Sequence, residues 1–252
     1  MGNDMEKYRK FLKDEVRLEM DFSSTDQNMG VEMPPLEKPY QEDALTIELP
    51  GPDKWQNMGD ISVNAAIRRR KSRRKYSQDK ISIGELAFLL WATAGIRKKL
   101  GGVTLRNVPS AGNRHAIETY LLISNIEDIG PGIYRYLPLE HGILLESPVN
   151  DISGFKKDIG EAALGQLFIG NAPAVFVWTA IPYRMEWRYG IAAHKVIAID
   201  AGHICQNLYI ACEAIGAGTC AIAAYNQKLM DQLIGVDGKE EFTIYMAPVG
   251  KI

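Results

Sequence analysis

The stretch AAHKVIAIDAGHICQNLYIACEAI, from Ala192 to Ile215, is rich in alanine and ranges from amphipathic to almost wholly apolar. A helix that is hydrophobic on nearly every side is one that neighbouring elements cover. The stretch therefore predicts a central buried helix around which the rest of the chain is arranged. His203 and the cysteines at 205 and 212 fall on this helix, where we expect them to serve packing and hydrogen bonding.

Shorter apolar segments on both sides of this helix predict strands. The run AVFVWTA after Pro173 is continuously apolar and is expected to be a strand covered on both faces. Phe155 to Phe168 is expected to be helical. Further predicted strands are ETYLLIS (118–124), FTIYMAPVG (242–250), and the hairpin GIYRYLP (132–138) with ILLES (143–147), turning at His141-Gly142. Because helices and strands alternate irregularly, the predicted class is α+β, with a mixed sheet flanked by helices.

The N-terminal quarter of the chain has a different character. Residues 1–20 carry apolar side chains at roughly every third or fourth position, which predicts a short amphipathic helix. Residues 21–60 are rich in Pro, Gly, Asp and Asn, and we expect an extended arm that wraps the body or a neighbouring subunit, with disorder as the alternative. We therefore divide the chain into this N-terminal helix and arm, 1–60, and a folded domain, 61–252. The domain opens with a helix ending in a basic run and a second helix from near Ser82 to about Gly95.

Composition excludes several classes of protein. A formal net charge of −2 creates no global field that would hold polyanions, so a nucleic acid would need a local basic patch. The longest strongly apolar stretch, Ala172 to Pro182, is shorter than the ~20 residues that a membrane span needs. Three cysteines without a CxxC pair favour a reducing compartment and argue against structural zinc. We expect a cytoplasmic protein with no metal site and no membrane contact.

The basic run, Arg68 to Lys75, places seven cations and Ser72 within eight residues. Guanidinium groups together with a hydroxyl can satisfy the several acceptor oxygens of a phosphate monoester. Taken alone, the run is also compatible with a solvated basic helix end or with a nucleic-acid patch. A second segment, Val108 to His115, combines small and polar residues just before a predicted strand. Such loops let backbone amides approach a ligand closely, although an ordinary turn has the same composition.

Together these segments resemble the FMN-dependent nitroreductase family. The family pattern is a basic R-R-S-x-R-x-F/Y run followed by P-S-A-G-N leading into a strand, and here it is matched by residues 70–76 and by Pro109 to Tyr120. Asp200 to Leu208 and Gly216 to Tyr225 resemble the family's central helix and the loop after it. Within the family the resemblance is nearest to the SagB-type dehydrogenases, which oxidise azoline rings. It covers roughly residues 61 to 251 and leaves the arm unexplained.

The resemblance implies a homodimer that binds FMN between its subunits, with each site shared by both chains. The basic run of one subunit would hold the phosphate, ribityl chain and pyrimidine edge, and the loop after the central helix would lie along the flavin face. Five residues would come from the partner subunit, and one C-terminal lysine would reach the phosphate. The implied residues are Arg70, Lys71, Ser72 and Arg74; Pro109, Ser110, Ala111, Gly112 and Asn113 from the partner; Ala221, Ile222, Ala223 and Ala224; and Lys251.

The sequence departs from the SagB-type pattern before the central helix. Those relatives carry a Lys-Tyr pair implicated in catalysis, whereas this chain has Arg188-Tyr189. Arginine stays protonated at neutral pH and is a poorer base than lysine. Azoline oxidation is therefore not expected, and Tyr189 and Arg188 remain the catalytic candidates, Tyr189 as a proton donor or as a packing residue.

Three functions follow from these patterns. The first is an FMN-dependent oxidoreductase that moves hydride or electrons between NAD(P)H and an electron-poor small molecule. The chain has no GxGxxG after a strand, so the nicotinamide would bind only transiently over the flavin. The second is a flavin-binding or sensing protein without steady turnover. The third, a nucleic-acid binder, is disfavoured because the rest of the chain is acidic.

Overall fold

The computed structural model describes residues 2–55, 58 and 61–252 of the chain. Its helices are α1 (Gly2–Leu12), α2 (Val16–Glu19), α3 (Val63–Arg69), α4 (Ile83–Ala94), α5 (Ile152–Ala162), α6 (Leu167–Gly170), α7 (Tyr183–Tyr189), α8 (Ala193–Ala214) and α9 (Gln227–Ile234). Its strands are β1 (Thr46–Glu48), β2 (Ile96–Leu100), β3 (Val103–Arg106), β4 (Ile117–Ile123), β5 (Gly132–Leu137), β6 (Gly142–Pro148), β7 (Ala174–Ala180), β8 (Ala217–Thr219) and β9 (Phe242–Lys251).

Seven strands form one sheet in the order β1-β6-β5-β4-β7-β9-β8, and β2 pairs with β3 in a separate hairpin. The α+β class is confirmed. Every strand pairing in the described sheet is antiparallel, so the expectation of mixed strand directions was wrong. For β4, β5 and β6 the reason is their short connections, because parallel neighbours need a crossover of a dozen or more residues.

The sheet separates two apolar cores. On β7, Phe176 and Trp178 point into the larger core, which α4 and α8 complete, while Val175 and Val177 point into the smaller core under α5, α6 and α9. All seven residues of β7 are buried. The prediction of a strand covered on both faces is confirmed.

Local sequence signals set the helix ends near the basic run. The Ser82 side chain accepts a hydrogen bond from Glu85 N, and the Glu85 carboxylate accepts one from Ser82 N, which satisfies two otherwise free amides at the start of α4. At the start of α3 the Ser62 side chain accepts a hydrogen bond from Ala65 N. The predicted start near Ser82 and stop near Gly95 are confirmed, and the basic run leaves α3 after Arg69 and continues as extended chain.

The central helix is α8, as predicted, but it is not buried on every side. Its apolar side packs on α4 and on the sheet. The opposite side exposes a row of small or apolar residues with one imidazole and one amide, the α8 stripe: Ala198, Ile199, Gly202, His203 and Gln206. The prediction of a buried central helix is confirmed for the side that faces α4 and the sheet, and this face is exposed because no described element of the chain covers it.

The N-terminal segment folds as two helices, α1 and α2, rather than the single predicted one. The arm then runs over its own chain. Arg106 Nη2 donates to Leu36 O at 2.9 Å, Arg135 Nη1 donates to Lys38 O at 2.8 Å, and Lys38 Nζ pairs with Glu241. Within the arm, β1 pairs with β6 at the sheet edge. The arm thus packs against the body, which is one of the arrangements expected.

Candidate functional site

The hydroxyl of Tyr209 on α8 joins two of the segments that the sequence singled out. It lies 2.9 Å from Ser72 Oγ in the basic run, and it accepts a hydrogen bond from Ala221 N at 2.8 Å. Because the oxygen accepts from Ala221, its proton is free to be donated to Ser72. The Arg70 guanidinium lies 5.2 Å from the centre of the Tyr209 ring. The basic run and the loop after β8 are therefore held together within one chain.

Backbone contacts fix the rest of the basic run beside the sheet edge. Arg73 N donates to Thr219 O on β8, and Ser77 N donates to Lys251 O at the end of β9. The Tyr76 hydroxyl donates to Pro248 O, and its ring lies so close to Gly250 that a Cβ there would be 2.7 Å from the ring. The run is thus positioned by main-chain bonds and by the Tyr76 ring, which leaves the exposed side chains of Lys71 and Arg74 available.

The cations of the basic run are uncompensated by the described part of the chain. None of them forms an ion pair with a described carboxylate. Lys71, Ser72 and Arg74 are exposed, and their backbone amides donate to no described acceptor. Exposed guanidinium, ammonium, hydroxyl and amide donors without an internal acceptor are the donor set that a phosphate ester takes up. The residues present therefore fit a phosphorylated ligand such as FMN.

The loop of residues 221–224 offers two free amides beside this donor set. Ala221 N is bound by Tyr209, and Ile222 N donates to Met246 O at 2.8 Å. The amides of Ala223 and Ala224 donate to no acceptor among the described residues, and both residues are exposed. Of the four predicted positions, only these last two keep an amide that can point at a ligand.

Lys251 makes two strong contacts inside the chain. Its ammonium donates to Glu85 Oε1 at 2.5 Å and to Ile215 O at 2.6 Å. An ammonium has three donors, so one remains for a phosphate oxygen. Glu85 also closes the cap of α4, and the lysine therefore links α4, the end of α8 and β9.

The PSAGN loop, Pro109 to Asn113, is a strained and firmly anchored turn. Gly112 and Asn113 both have positive φ angles, 56° and 59°. Ala111 N donates to the Asp200 carboxylate at 3.3 Å, and His115 N donates to Ser110 Oγ at 2.9 Å. The amide of Gly112 has no described acceptor, and the residue is exposed. The loop thus presents a free amide on a rigid support.

Burial shifts the pKa values of Asp200 and His115, two side chains at this loop. Desolvation raises the pKa of Asp200, and its bonds to Ser110 and Ala111 only partly offset this. Desolvation, reinforced by Arg106, lowers the pKa of His115 to about 3. His115 is therefore neutral at physiological pH, and its Nε2 lies 2.7 Å from Asn113 Oδ1, which accepts from the protonated tautomer.

The PSAGN loop and the basic run lie on opposite sides of α8. Asp200 contacts the loop and Tyr209 contacts the run. The two residues are nine positions apart, which corresponds to about two and a half turns and about 13 Å along the helix. One chain therefore does not bring the two predicted halves of the site together. Sequence reasoning assigned no role to Asp200 or Tyr209, although their spacing on a predicted helix already places them on opposite faces.

The predicted catalytic pair lies against the PSAGN loop. Arg188 and Tyr189 end α7, and a Cβ at Gly112 would lie 2.5 Å from the Tyr189 hydroxyl and 2.8 Å from Arg188 Nε. Only glycine combines this approach with the positive φ at position 112. The loop, Arg188 and Tyr189 therefore form one surface.

Comparison with known proteins identifies the family. The profile of the nitroreductase family matches residues 67–251, most of the chain. The chain belongs to the nitroreductase family. A nitroreductase homologue from Methanocaldococcus jannaschii is 26% identical over 211 residues, covering 83% of this chain and 98% of the relative. Membership supports an oxidoreductase, and it agrees with the α+β fold.

Solved structures show the same nitroreductase fold. A nitroreductase-family protein from Ralstonia eutropha has a TM-score of 0.67 at 26% identity and covers 87% of this chain and 98% of its own. One from Anabaena variabilis has a TM-score of 0.67 at 21% identity over 83% of this chain and 42% of its own. The E. coli microcin synthetase McbBCD complex, with truncated pro-MccB17 bound, contains a chain with a TM-score of 0.60 at 18% identity, covering 79% of this chain and 80% of that one. At this identity the likeness to McbBCD concerns the fold alone.

The described residues of this nitroreductase-family chain contain neither a cluster of metal-ligating side chains nor a membrane-spanning helix. Across residues 2–55, 58 and 61–252, no group of three or more His, Cys, Asp or Glu side chains is placed to hold a metal ion. Cys205, Cys212 and Cys220 are buried free thiols. No helix in the described part is both long enough and apolar enough to cross a bilayer.

Proposed function

We propose that this protein is an FMN-dependent oxidoreductase that transfers hydride or electrons between NAD(P)H and an electron-poor small molecule. The observation that carries the proposal is the Tyr209 hydroxyl, which holds Ser72 of the uncompensated basic run against the loop with the free amides of Ala223 and Ala224. A phosphate donor set next to free amides suits a ligand with a phosphate at one end and a polar ring at the other.

The proposed contacts of FMN follow from the accessible donors. Arg70, Lys71, Ser72 and Arg74 would bind the phosphate, ribityl chain and pyrimidine edge, and the third donor of Lys251 would add to the phosphate site. An amide of Ala223 or Ala224 would donate to the ring. When bound, FMN supplies reversible uptake of a hydride, which protein side chains cannot provide. The cations also favour negative charge at the ring's pyrimidine edge.

We further propose that the second half of the site comes from a partner copy of the chain. The PSAGN loop faces the side of α8 opposite to Tyr209, so the loop of one copy would reach the basic run of the other. The α8 stripe is an exposed, mostly small or apolar surface that a second copy could cover. A homodimer would thus complete two shared sites, and buried free thiols suit a cytoplasmic location.

Arg188 and Tyr189 would border the acceptor. A phenol can donate a proton to a reduced acceptor, whereas the guanidinium of Arg188 offers hydrogen-bond donors that bind anions. The arginine in place of lysine argues for an acceptor other than an azoline ring.

The test is direct. Purified protein stripped of cofactor is titrated with FMN and with riboflavin, and the visible spectrum and affinity are recorded. We expect yellow holoprotein, about tenfold or more weaker binding of riboflavin because it lacks the phosphate, and oxidation of NAD(P)H when an acceptor is added. Failure to take up FMN contradicts the proposal. Binding of FMN without any NAD(P)H oxidation supports the flavin-sensing alternative instead.

A further inference from the structure

Two guanidinium groups from distant parts of the chain lie near the ring of Tyr189. The Arg188 guanidinium is 5.6 Å from the centre of its ring, and the Arg17 guanidinium is 6.0 Å from it. Arg17 belongs to α2 in the N-terminal segment. The start of the arm, a few residues after α2, is fastened beside α7, since Gln27 N donates to Trp187 O at 2.9 Å and the Tyr183 hydroxyl donates to Asp26 at 2.6 Å. The segment before the family-matched region therefore supplies a cation to the predicted catalytic surface.

The charge of Arg17 is offset by a described carboxylate that it shares with Lys195, whereas the charge of Arg188 is offset by none. Arg17 Nε donates to Asp14 Oδ2 at 2.9 Å, and the same carboxylate lies 3.7 Å from Lys195 Nζ. One carboxylate thus serves two cations. Arg188 has neither an ion pair nor a side-chain hydrogen bond to any described residue. Its guanidinium is consequently left with its full donor capacity.

A third arginine, Arg114, lies close enough to the cluster formed by Arg17, Arg188 and Tyr189 to feel the charge of Arg188. The Arg114 guanidinium is 4.9 Å from the centre of the Trp187 ring and donates through Nε to Arg184 O. Burial, followed by repulsion from Arg188 and Arg184, lowers the pKa of Arg114. Arg188 is thus close enough to another fixed positive charge for the two to repel. Such crowding is relieved when an anion binds between or beside the cations.

The cluster also adjoins the free amide of Gly112, because the PSAGN loop packs directly on Arg188 and Tyr189. Under the proposed function this loop faces the FMN of the partner copy. A molecule positioned there would meet guanidinium forks, a phenol and a main-chain amide. All of these can donate hydrogen bonds, and none of the guanidinium groups can accept one.

We propose that the electron acceptor is an anion, an electron-poor compound carrying a carboxylate, and that Arg17 and Arg188 bind this carboxylate beside Tyr189. The inference rests on the proposed function and names its substrate class. It also gives the N-terminal segment a role, because Arg17 determines specificity. For a nitroaromatic carboxylate the balanced step is reduction of the nitro group to nitroso: one NAD(P)H and one proton are consumed, and NAD(P)⁺ and one water are released.

The experiment compares 4-nitrobenzoate with 4-nitrobenzamide, a neutral acceptor of nearly the same shape. Initial rates are measured with the FMN-loaded full-length protein and saturating NAD(P)H. The quantity followed is the ratio of kcat/KM for the benzoate to that for the benzamide. We expect the ratio to fall about tenfold in Arg17→Ala and in Arg188→Ala, chiefly through a higher KM for the benzoate. Arg188→Lys keeps the charge without the fork and should retain part of the preference.

Lys98→Ala is the matched control, because Lys98 is an exposed cation on β2 outside this cluster. It should leave the ratio unchanged. A ratio that is the same in wild type, Arg17→Ala and Arg188→Ala overturns the inference while leaving the flavin function intact. Absence of turnover with both acceptors, in a wild-type protein that binds FMN, counts against the proposed oxidoreductase instead. Circular dichroism of each variant separates loss of recognition from loss of fold.

Discussion

The Tyr209 hydroxyl lies 2.9 Å from the Ser72 hydroxyl, which joins the C-terminal third of the central helix to the middle of the basic run. The same oxygen accepts from Ala221 N. Ser72, which lies 137 positions before Tyr209, and Ala221, which lies 12 positions after it, are thereby held at one point. This single phenol sets the distance between the cations and the free amides beyond Ala221.

Replacement of Tyr209 by phenylalanine removes this junction and keeps the ring. Ser72 and the Ala221 amide each lose a partner, which for a neutral hydrogen bond amounts to about 1 kcal/mol. We expect FMN to bind about fivefold to tenfold more weakly, measured by quenching of flavin fluorescence. Tyr134→Phe is the control, because the Tyr134 hydroxyl donates to Gly130 O away from the proposed site. Unchanged FMN affinity in Tyr209→Phe contradicts the assigned role.

The α8 stripe predicts the oligomeric state. Lysine at Ile199, a half-exposed residue of the stripe, would bring a charge into any interface formed there. We expect Ile199→Lys to sediment as a monomer and to lose most of its FMN affinity, because the half-sites are separated. Leu229→Lys, at a similarly exposed apolar position on α9, should sediment like wild type. A dimer that persists in Ile199→Lys rules out this face as the interface.

The buried carboxyl of Glu37 is expected to make the free energy of unfolding depend on pH. Burial raises the pKa of its carboxyl from 4.5 to about 7, and nearby Glu140 and Glu118 add to the shift while the Leu139 amide opposes it. Because the folded pKa is the higher one, the stabilising contribution is complete below 4.5 and is lost as pH rises through about 7.

We therefore expect the contribution of this carboxyl to the free energy of unfolding of wild type to fall between about pH 4.5 and about pH 7 and to level off above that, and Glu37→Gln to show a flatter profile over the same interval. Urea titrations at several pH values measure both. The exposed Glu48 provides the comparison, since Glu48→Gln should keep the wild-type slope. Identical slopes in wild type and Glu37→Gln would show that this carboxyl does not titrate as described.

Much of the fold follows from local sequence. Ser82, Glu85 and Gly95 mark both ends of α4, and the unbroken apolar run of β7 predicts that the strand is buried. Both features can be predicted because each signal acts within a few residues. Other elements have no such signal. β8 is three residues long and exists because it pairs with β9, and α7 is a seven-residue helix with no capping side chain.

The site is predictable only in pieces. The basic run and the PSAGN loop carry recognisable residues, whereas Tyr209 and Asp200 acquire roles from the faces of α8 on which they lie. The sequence also cannot reveal that two of the four amides at 221–224 are already occupied, since their acceptors are Tyr209 and Met246. These assignments depend on tertiary contacts between segments far apart in the chain.

The central claim, that each flavin lies between the basic run of one chain and the PSAGN loop of its partner, is tested most directly by subunit complementation. One chain carries Arg70→Ala with Arg74→Ala, and a differently tagged chain carries Gly112→Val, whose side chain cannot fit against Tyr189. Each homodimer should be inactive. In the purified heterodimer, one site then combines both defects and the other combines none, so we predict about half of the wild-type NAD(P)H oxidation per dimer. A folded heterodimer as inactive as its parents would contradict the shared site.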